Sequence, residues 1–178
     1  MEPASVVEYF QGKELALGFC LGPVNKNKIP IMTSAGKKDS LATKKVLFSH
    51  KTPLVPTSVR EEVLAHLEAV ESRKNSESSE LDTEELWELL AEEGPDREWT
   101  LDELAGYLFP DVALWEKSIL YRALLNDRYR FSRKGDNFVT RTEEQVAEAV
   151  QREQVEAQRE AERASVKEWL RLVWERKN

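Results

Sequence analysis

Few residues in this chain belong to the types that usually carry covalent or metal chemistry. Of 178 residues, one is cysteine and two are histidine. A lone thiol, Cys20, cannot form an intramolecular disulfide, and its place in an apolar strand pattern predicts a buried structural role. His50 and His66 have no Cys, His, Asp or Glu at ligand spacing around them, so no metal site is predicted. The seven glycines mark turns, strands or helix boundaries and build no phosphate-cradling loop. No Ser/His/Asp or Cys/His set appears. Paired carboxylates such as Glu84-Glu85 and Glu143-Glu144 stand at helix starts, where the macrodipole favours them. The chain alone is therefore not expected to be an enzyme or to hold a cofactor. No long apolar span, secretory signal or arginine-rich transit segment opens the sequence, which predicts a cytoplasmic protein without a membrane partner.

Charge, by contrast, is plentiful and unevenly spread. The net charge is −7, yet residues 1–56 hold eight lysines against four acids, a balance of +4 that leaves −11 for the remainder. The acidic average hides a basic first third.

The pattern predicts an α+β protein: a small antiparallel β-barrel, then a winged helix, then a long C-terminal helix. Residues 1–56 form the barrel, with strands SVVEYF, ELALGFCLG, KIPIM and KKVLFS separated by the turn signals QGK, PVNKN and SAGKKD. In the second strand Leu15, Leu17, Phe19 and Leu21 alternate with Ala16, Gly18 and Cys20, which suits a tightly curved sheet covered on both faces. Pro30 places the third strand at an edge or a bulge. Residues 57–80 read as a connector helix, with Val59, Val63, Leu67 and Val70 at helical spacing and Thr57 or Ser58 as N-cap, followed by the polar linker NSESSE at the domain boundary.

Residues 81–141 carry the winged-helix pattern. A helix opens near Asp82 with Glu85 three residues on, and Gly94-Pro95 stops it. Thr100 and Glu103 form a second capping-box pattern before Leu101, Leu104, Ala105 and Leu108; a third helix runs from about Val112 to Asp127. Trp99 suits a short first strand. The stretch YRFSRKGDNFVTR, Tyr129 to Arg141, then reads as a hairpin, because aromatic and β-branched residues flank Lys134-Gly135-Asp136-Asn137. This wing is basic, with Arg128, Arg130, Arg133, Lys134 and Arg141 opposed by Asp127 and Asp136. Residues 142–178 are a helix rich in Glu, Gln, Arg and Ala, spanning roughly 50 Å at ~1.5 Å per residue. Its end crowds Trp169, Leu170, Leu172, Val173 and Trp174 together, an apolar surface that needs a partner.

What these patterns support is binding chemistry. Lys37, Lys38, Lys44 and Lys45 flank one predicted hairpin, and Lys26 and Lys28 flank another; such lysines suit polyanions or guard strand edges. The third helix begins Val112-Ala113-Leu114-Trp115-Glu116, a poor start for reading base edges in a major groove, so a sequence-specific DNA-binding regulator ranks last. The basic wing can touch phosphates without reading bases, or pair with acids of its own domain.

VVEYFQGKELALGFCLG, VLFSH, WTLDELAGYLFP and LLNDRYRFSRKGDNFVTRTEEQVAE together resemble the N-terminal region of bacterial RNase II/RNase R-like (RNB-family) exoribonucleases. The resemblance covers nearly the whole chain. It implies a non-catalytic accessory module that helps admit single-stranded RNA to a 3'-5' exoribonuclease, with a catalytic RNB-type domain in cis or in trans. The aspartate cluster that binds Mg2+ in that family's catalytic domain has no counterpart here, so the metal is implied only for the absent domain, and the chain is expected to be a fragment or a split gene product. RNA-contact candidates are Lys37, Lys38, Lys44, Lys45, Arg130, Arg133 and Lys134. The alternative is a protein-interaction module that docks through Trp169, Leu170, Val173 and Trp174.

Overall fold

The computed structural model describes residues 4–94 and 97–175. It is an α+β structure that divides by packing into two units, and the division does not fall at one point in the chain. The first unit takes residues 1–82 and 100–126, and the second takes 83–99 and 127–178.

The first unit is built on a meander: β1 (Ser5–Gln11), β2 (Glu14–Cys20), β3 (Lys28–Thr33), β4 (Lys38–Ala42) and β5 (Val46–Lys51). The strands are antiparallel in the order β4-β3-β2-β1-β5, with a 3₁₀ turn, Thr43–Lys45, leading from β4 to β5. The expected closed barrel is therefore not formed: among the described residues no ladder joins β4 to β5. Side chains do part of what hydrogen bonds do not. Leu41 of β4 lies in one apolar cluster with Val7, Tyr9, Cys20, Ile29 and Ile31, and Val46 of β5 packs against it. The large/small alternation of β2 fits this curl, since a Cβ on Gly18 would stand 3.0 Å from Ile31 Cδ1.

Two further expectations change here. β4 lies where the sequence reads as a turn followed by nothing regular, because only its Leu41 is buried. Pro30 is not at an edge, as β3 pairs with both β2 and β4. It is tolerated because the β2–β3 pairing ends at Cys20↔Ile31, beyond which Leu21 donates its amide to the Pro30 carbonyl at 2.8 Å.

The opposite sheet face holds Val6, Leu17, Phe19 and Met32, and α1 (Arg60–Ser79) covers it with Val63 and Leu67. The connector helix is thus a core element. Ser58 does not cap it; its Oγ accepts from Val55 N at 3.1 Å, and the N-cap position is Val59. NSESSE, expected as a linker, forms the last turns of α1, with Ser78 and Ser79 hydroxyls donating to the carbonyls of Asn75 and Ser76. The same unit contains α3 (Leu101–Leu108) and α4 (Leu114–Asn126). Thr100 and Glu103 make the capping box that the sequence predicts. Every residue of α4 from Ser118 to Leu124 is buried.

In the second unit α2 (Thr83–Ala91) precedes β6 (Glu98–Trp99), β7 (Phe131–Lys134) and β8 (Asn137–Thr140), which form a sheet in the order β6-β8-β7. The hairpin closes through Gly135, whose φ of +64° favours glycine. α5 (Glu143–Glu175) follows. No helix among the described residues is long and apolar enough to cross a membrane.

Candidate nucleic-acid interface

The base of the β7–β8 hairpin is fixed by Asp127. Its Oδ1 accepts the amides of Tyr129 and Arg130 at 3.2 and 3.0 Å, and its Oδ2 accepts the Thr83 hydroxyl at 2.7 Å. Arg130, a sequence-predicted RNA contact, is taken up by its own unit. It is half-buried between Glu84 at 2.8 Å and Asp127 at 3.5 Å. Burial works against its charge, but the Glu84 hydrogen bond and the Asp127 carboxylate outweigh it and raise its pKa.

Arg133 and Lys134 stand further along the hairpin and are exposed. Arg133 Nε donates to the Gly135 carbonyl at 2.7 Å, which fixes the guanidinium at the tip. Lys134 pairs with Glu98 of β6, and its hydrogen bond holds the Glu98 carboxyl below the usual carboxylate range. Lys134 opposes Asn137, and Ser132 opposes Val139, so Ser132, Lys134 and Val139 share one face of the hairpin.

That face meets a stripe of α5. Thr142 and Gln145 cap the helix reciprocally, Gln145 N to Thr142 Oγ1 at 3.2 Å and Thr142 N to Gln145 Oε1 at 3.1 Å. The cap sets the helix direction, and Gln145, Glu148, Ala149 and Arg152 then recur at the spacing of one helix face. Between hairpin and stripe lies an open groove of about 670 Å³. Arg133, Lys134, Arg141 and Arg152 line it, with Glu148 the one acid among the lining residues. Arg141 and Arg152 were not among the sequence-predicted contacts. The signal for Arg152 was its place seven residues after Gln145 on the capped helix.

The four sheet lysines do not form one patch. Lys37 and Lys38 lie at the β3–β4 turn, and Lys44 and Lys45 lie in the 3₁₀ turn at the other end of β4; all four are exposed. The C-terminal aromatic cluster is also open, with Trp169 61% and Trp174 74% exposed, and Leu170 exposed beside them. Val173 is in the same helix, but its side chain lies outside the described residues.

The first unit holds a charged centre that the sequence reading missed. Glu8 of β1 and Lys74 of α1 are sealed from solvent with 2.6 Å between Oε1 and Nζ. Ser118 donates to Glu8 at 2.8 Å and accepts from Lys74, and Arg122 joins Glu8 to Glu71 and Asn75. Lys74 also donates to His50 Nε2 at 2.9 Å. Burial opposes both charges of the central pair. In Glu8, Lys74 and Arg122 win and hold the carboxyl below its ordinary range; in Lys74, burial wins and lowers the pKa. Burial, followed by the Lys74 charge, depresses His50 to about 4. Ser118 and Lys74 are residue types that pair in some hydrolases, but both side chains are fully buried and committed to Glu8. No group of His, Cys, Asp and Glu that could hold a metal occurs among the described residues.

Comparison of the chain with protein-family models, with curated proteins and with solved structures gives no match.

Proposed function

We propose that the chain is an RNA-binding accessory module, the N-terminal part of an RNB-type 3'-5' exoribonuclease, which gathers single-stranded RNA for a catalytic domain in cis or in trans. The observation that carries this reading is the groove between the β7–β8 hairpin and α5, lined by four cations and one carboxylate in a chain of net charge −7, with Lys134 paired to Glu98 and Arg152 to Glu148 at 3.1 Å. Such a surface suits the sugar-phosphate backbone and carries no base code, as a processive RNA path requires. The chain order α2-β6-α3-α4-β7-β8, with β6 as third strand beside the β7–β8 hairpin, supports the winged-helix part of this reading. Burial of α4 from Ser118 to Leu124 favours RNA over duplex DNA, because that stretch of the helix has no free face for a major groove and its less buried first turn, Leu114-Trp115-Glu116, is apolar and acidic. A cytoplasmic setting and a Mg2+-dependent partner domain follow from the same reading.

The test is a fluorescence-anisotropy titration with a single-stranded oligouridine of roughly 20 nucleotides at ~50 and ~200 mM salt. Binding is expected at low salt, weakening steeply at high salt, with no RNA cleavage. Arg133→Ala with Arg152→Ala should lower affinity about tenfold at low salt. Absence of binding at low salt by the unaltered chain would rule the reading out.

One observation favours a second reading, a protein-docking helix: Trp169, Leu170 and Trp174 are all exposed within six positions of α5. If Trp169→Ala with Trp174→Ala left both assembly and solubility unchanged, this reading would lose its support.

A further inference from the structure

The turn between β2 and β3 places a lysine where lysine is a costly choice. Asn25 and Lys28 exchange backbone hydrogen bonds at 2.8 and 2.9 Å, closing a two-residue loop whose central residues, Lys26 and Asn27, have φ of +46° and +62°. Both residues of such a turn sit in the left-handed region, which suits Gly, Asn and Asp. Asn27 fits that rule and Lys26 does not. A long cationic side chain held in a disfavoured backbone conformation is the kind of local strain that gathers at ligand clamps.

What surrounds Lys26 is an independent observation. An open groove of about 560 Å³ is lined by Pro23, Asn25, Lys26, Lys28, Pro30 and Ser40, with no acid among them. Lys28 opposes Ala42 and Pro30 opposes Ser40, so Lys28, Pro30 and Ser40 share a face, whereas Asp39, the one acid of β4, opposes Ile31 on the other face. The turn is also tied to the 3₁₀ segment, since Thr43 N donates to the Asn27 carbonyl at 2.9 Å. Lys26 and Lys28 therefore come together with Lys44 and Lys45 at one corner of the sheet, and Lys37 and Lys38 are left at the far end of β4.

We propose that this corner is a second contact for the sugar-phosphate backbone of single-stranded RNA, with Lys26 and Lys28 as its centre and Lys44 and Lys45 as its flank. It rests on the RNA-binding reading given above but is a site of its own, on a different unit from the wing groove. The groove is lined by two lysines, two prolines, an asparagine and a serine with no acid among them, so the contact is made chiefly through phosphate charge. Lysine at the strained position projects its ammonium beyond the turn, which Gly, Asn or Asp there cannot do.

The test uses the full chain and the same oligouridine. Replacing Lys26, Lys28, Lys44 and Lys45 together by alanine should weaken binding about tenfold at low salt and reduce the salt slope by about 2 to 3, as ~0.7 per lost single-strand phosphate contact requires. Lys26→Gly alone keeps the left-handed backbone and removes the charge. It should weaken binding about twofold while the Tm stays level or rises, whereas Lys26→Arg should bind like the unaltered chain. If the quadruple variant, folded by circular dichroism, kept affinity and slope while Arg133→Ala with Arg152→Ala lowered them, the corner would be excluded and the wing groove retained. If the unaltered chain bound no oligonucleotide, both would fall.

Discussion

Lys74 and Lys134 are each a lysine paired with one glutamate, yet they belong to opposite regimes. Lys74 and Glu8 are fully buried between α1 and β1, in a network with Ser118, His50 and Arg122 that leaves Arg122 Nε without a hydrogen-bond partner. Lys134, which lines the groove beside the β7–β8 hairpin, and its partner Glu98 sit in water, both side chains more than 40% exposed. In the first region charge holds three elements together, because a buried ion left alone is very costly. In the second, charge contributes little to stability and lies open to solvent. In this chain the location of a charge, and not its number, separates a structural ion pair from a solvent-exposed one.

The sharpest way to break this contrast is to remove one member of the buried pair. Lys74→Ala leaves the buried Glu8 with Arg122 at 3.4 Å as its remaining countercharge and should cost about 3 kcal/mol in urea unfolding. Lys74→Met combined with Glu8→Leu should recover most of that loss, since an apolar pair of similar volume is often neutral. A loss under 1 kcal/mol for Lys74→Ala would mean that the network does not hold the unit together.

Acid should act on the same region. His50 is neutral in the folded state to about pH 4, while in the unfolded chain it titrates near 6.5. The unfolded state thus binds the extra proton between these values, and stability falls as pH drops from about 6.5 towards 4, by on the order of 2 kcal/mol. Below the ordinary glutamate range the depressed Glu8 adds a loss of the same sign. In His50→Gln the decline between pH 6.5 and 4.5 should flatten; an unchanged pH profile of Tm would count against the assignment.

Removing the acid of the exposed pair should do the reverse. Glu98→Gln is expected to leave Tm almost unchanged and to raise oligouridine affinity about twofold by releasing Lys134 from its carboxylate. Smallest of all, Lys134→Ala should leave Tm within about 1 °C and reduce the salt slope by about 0.7. A large Tm loss in either variant would place the wing pair with the scaffold instead.

Local chemistry was legible in the sequence wherever it was complete within a few residues. The box at Thr100 and Glu103, the wing turn at Gly135, the Trp99 strand and the long α5 all follow from short-range rules. Lys74 shows where such rules stop. It continues the stripe of Val63, Leu67 and Val70 on α1, as Glu8 continues the face of Val6 on β1. Each looks like a polar interruption in its own element, and only the pairing of elements distant in sequence makes them mutual partners. The same limit hid β4, whose single inward Leu41 is weak local evidence, and the open edge of the sheet, which depends on ladders between distant strands. In the candidate interface, the wing cations were readable one by one, whereas Arg130 was lost to Glu84 and Asp127 and Arg152 was gained only through the position of α5.

Beyond residue 150 every described side chain of α5 is exposed, so about 35 Å of helix extends with nothing but its own backbone to set its course. Such a rod fixes a rotational phase as well as a length. Two residues inserted near its middle would swing Trp169 and Leu170 by about 200° to the opposite side, and four would return them to within about 40° while moving them ~6 Å outward. A partner docking at that tip would be addressed by an angle, which would make the uniform, polar middle of α5 more sensitive to insertion than to substitution.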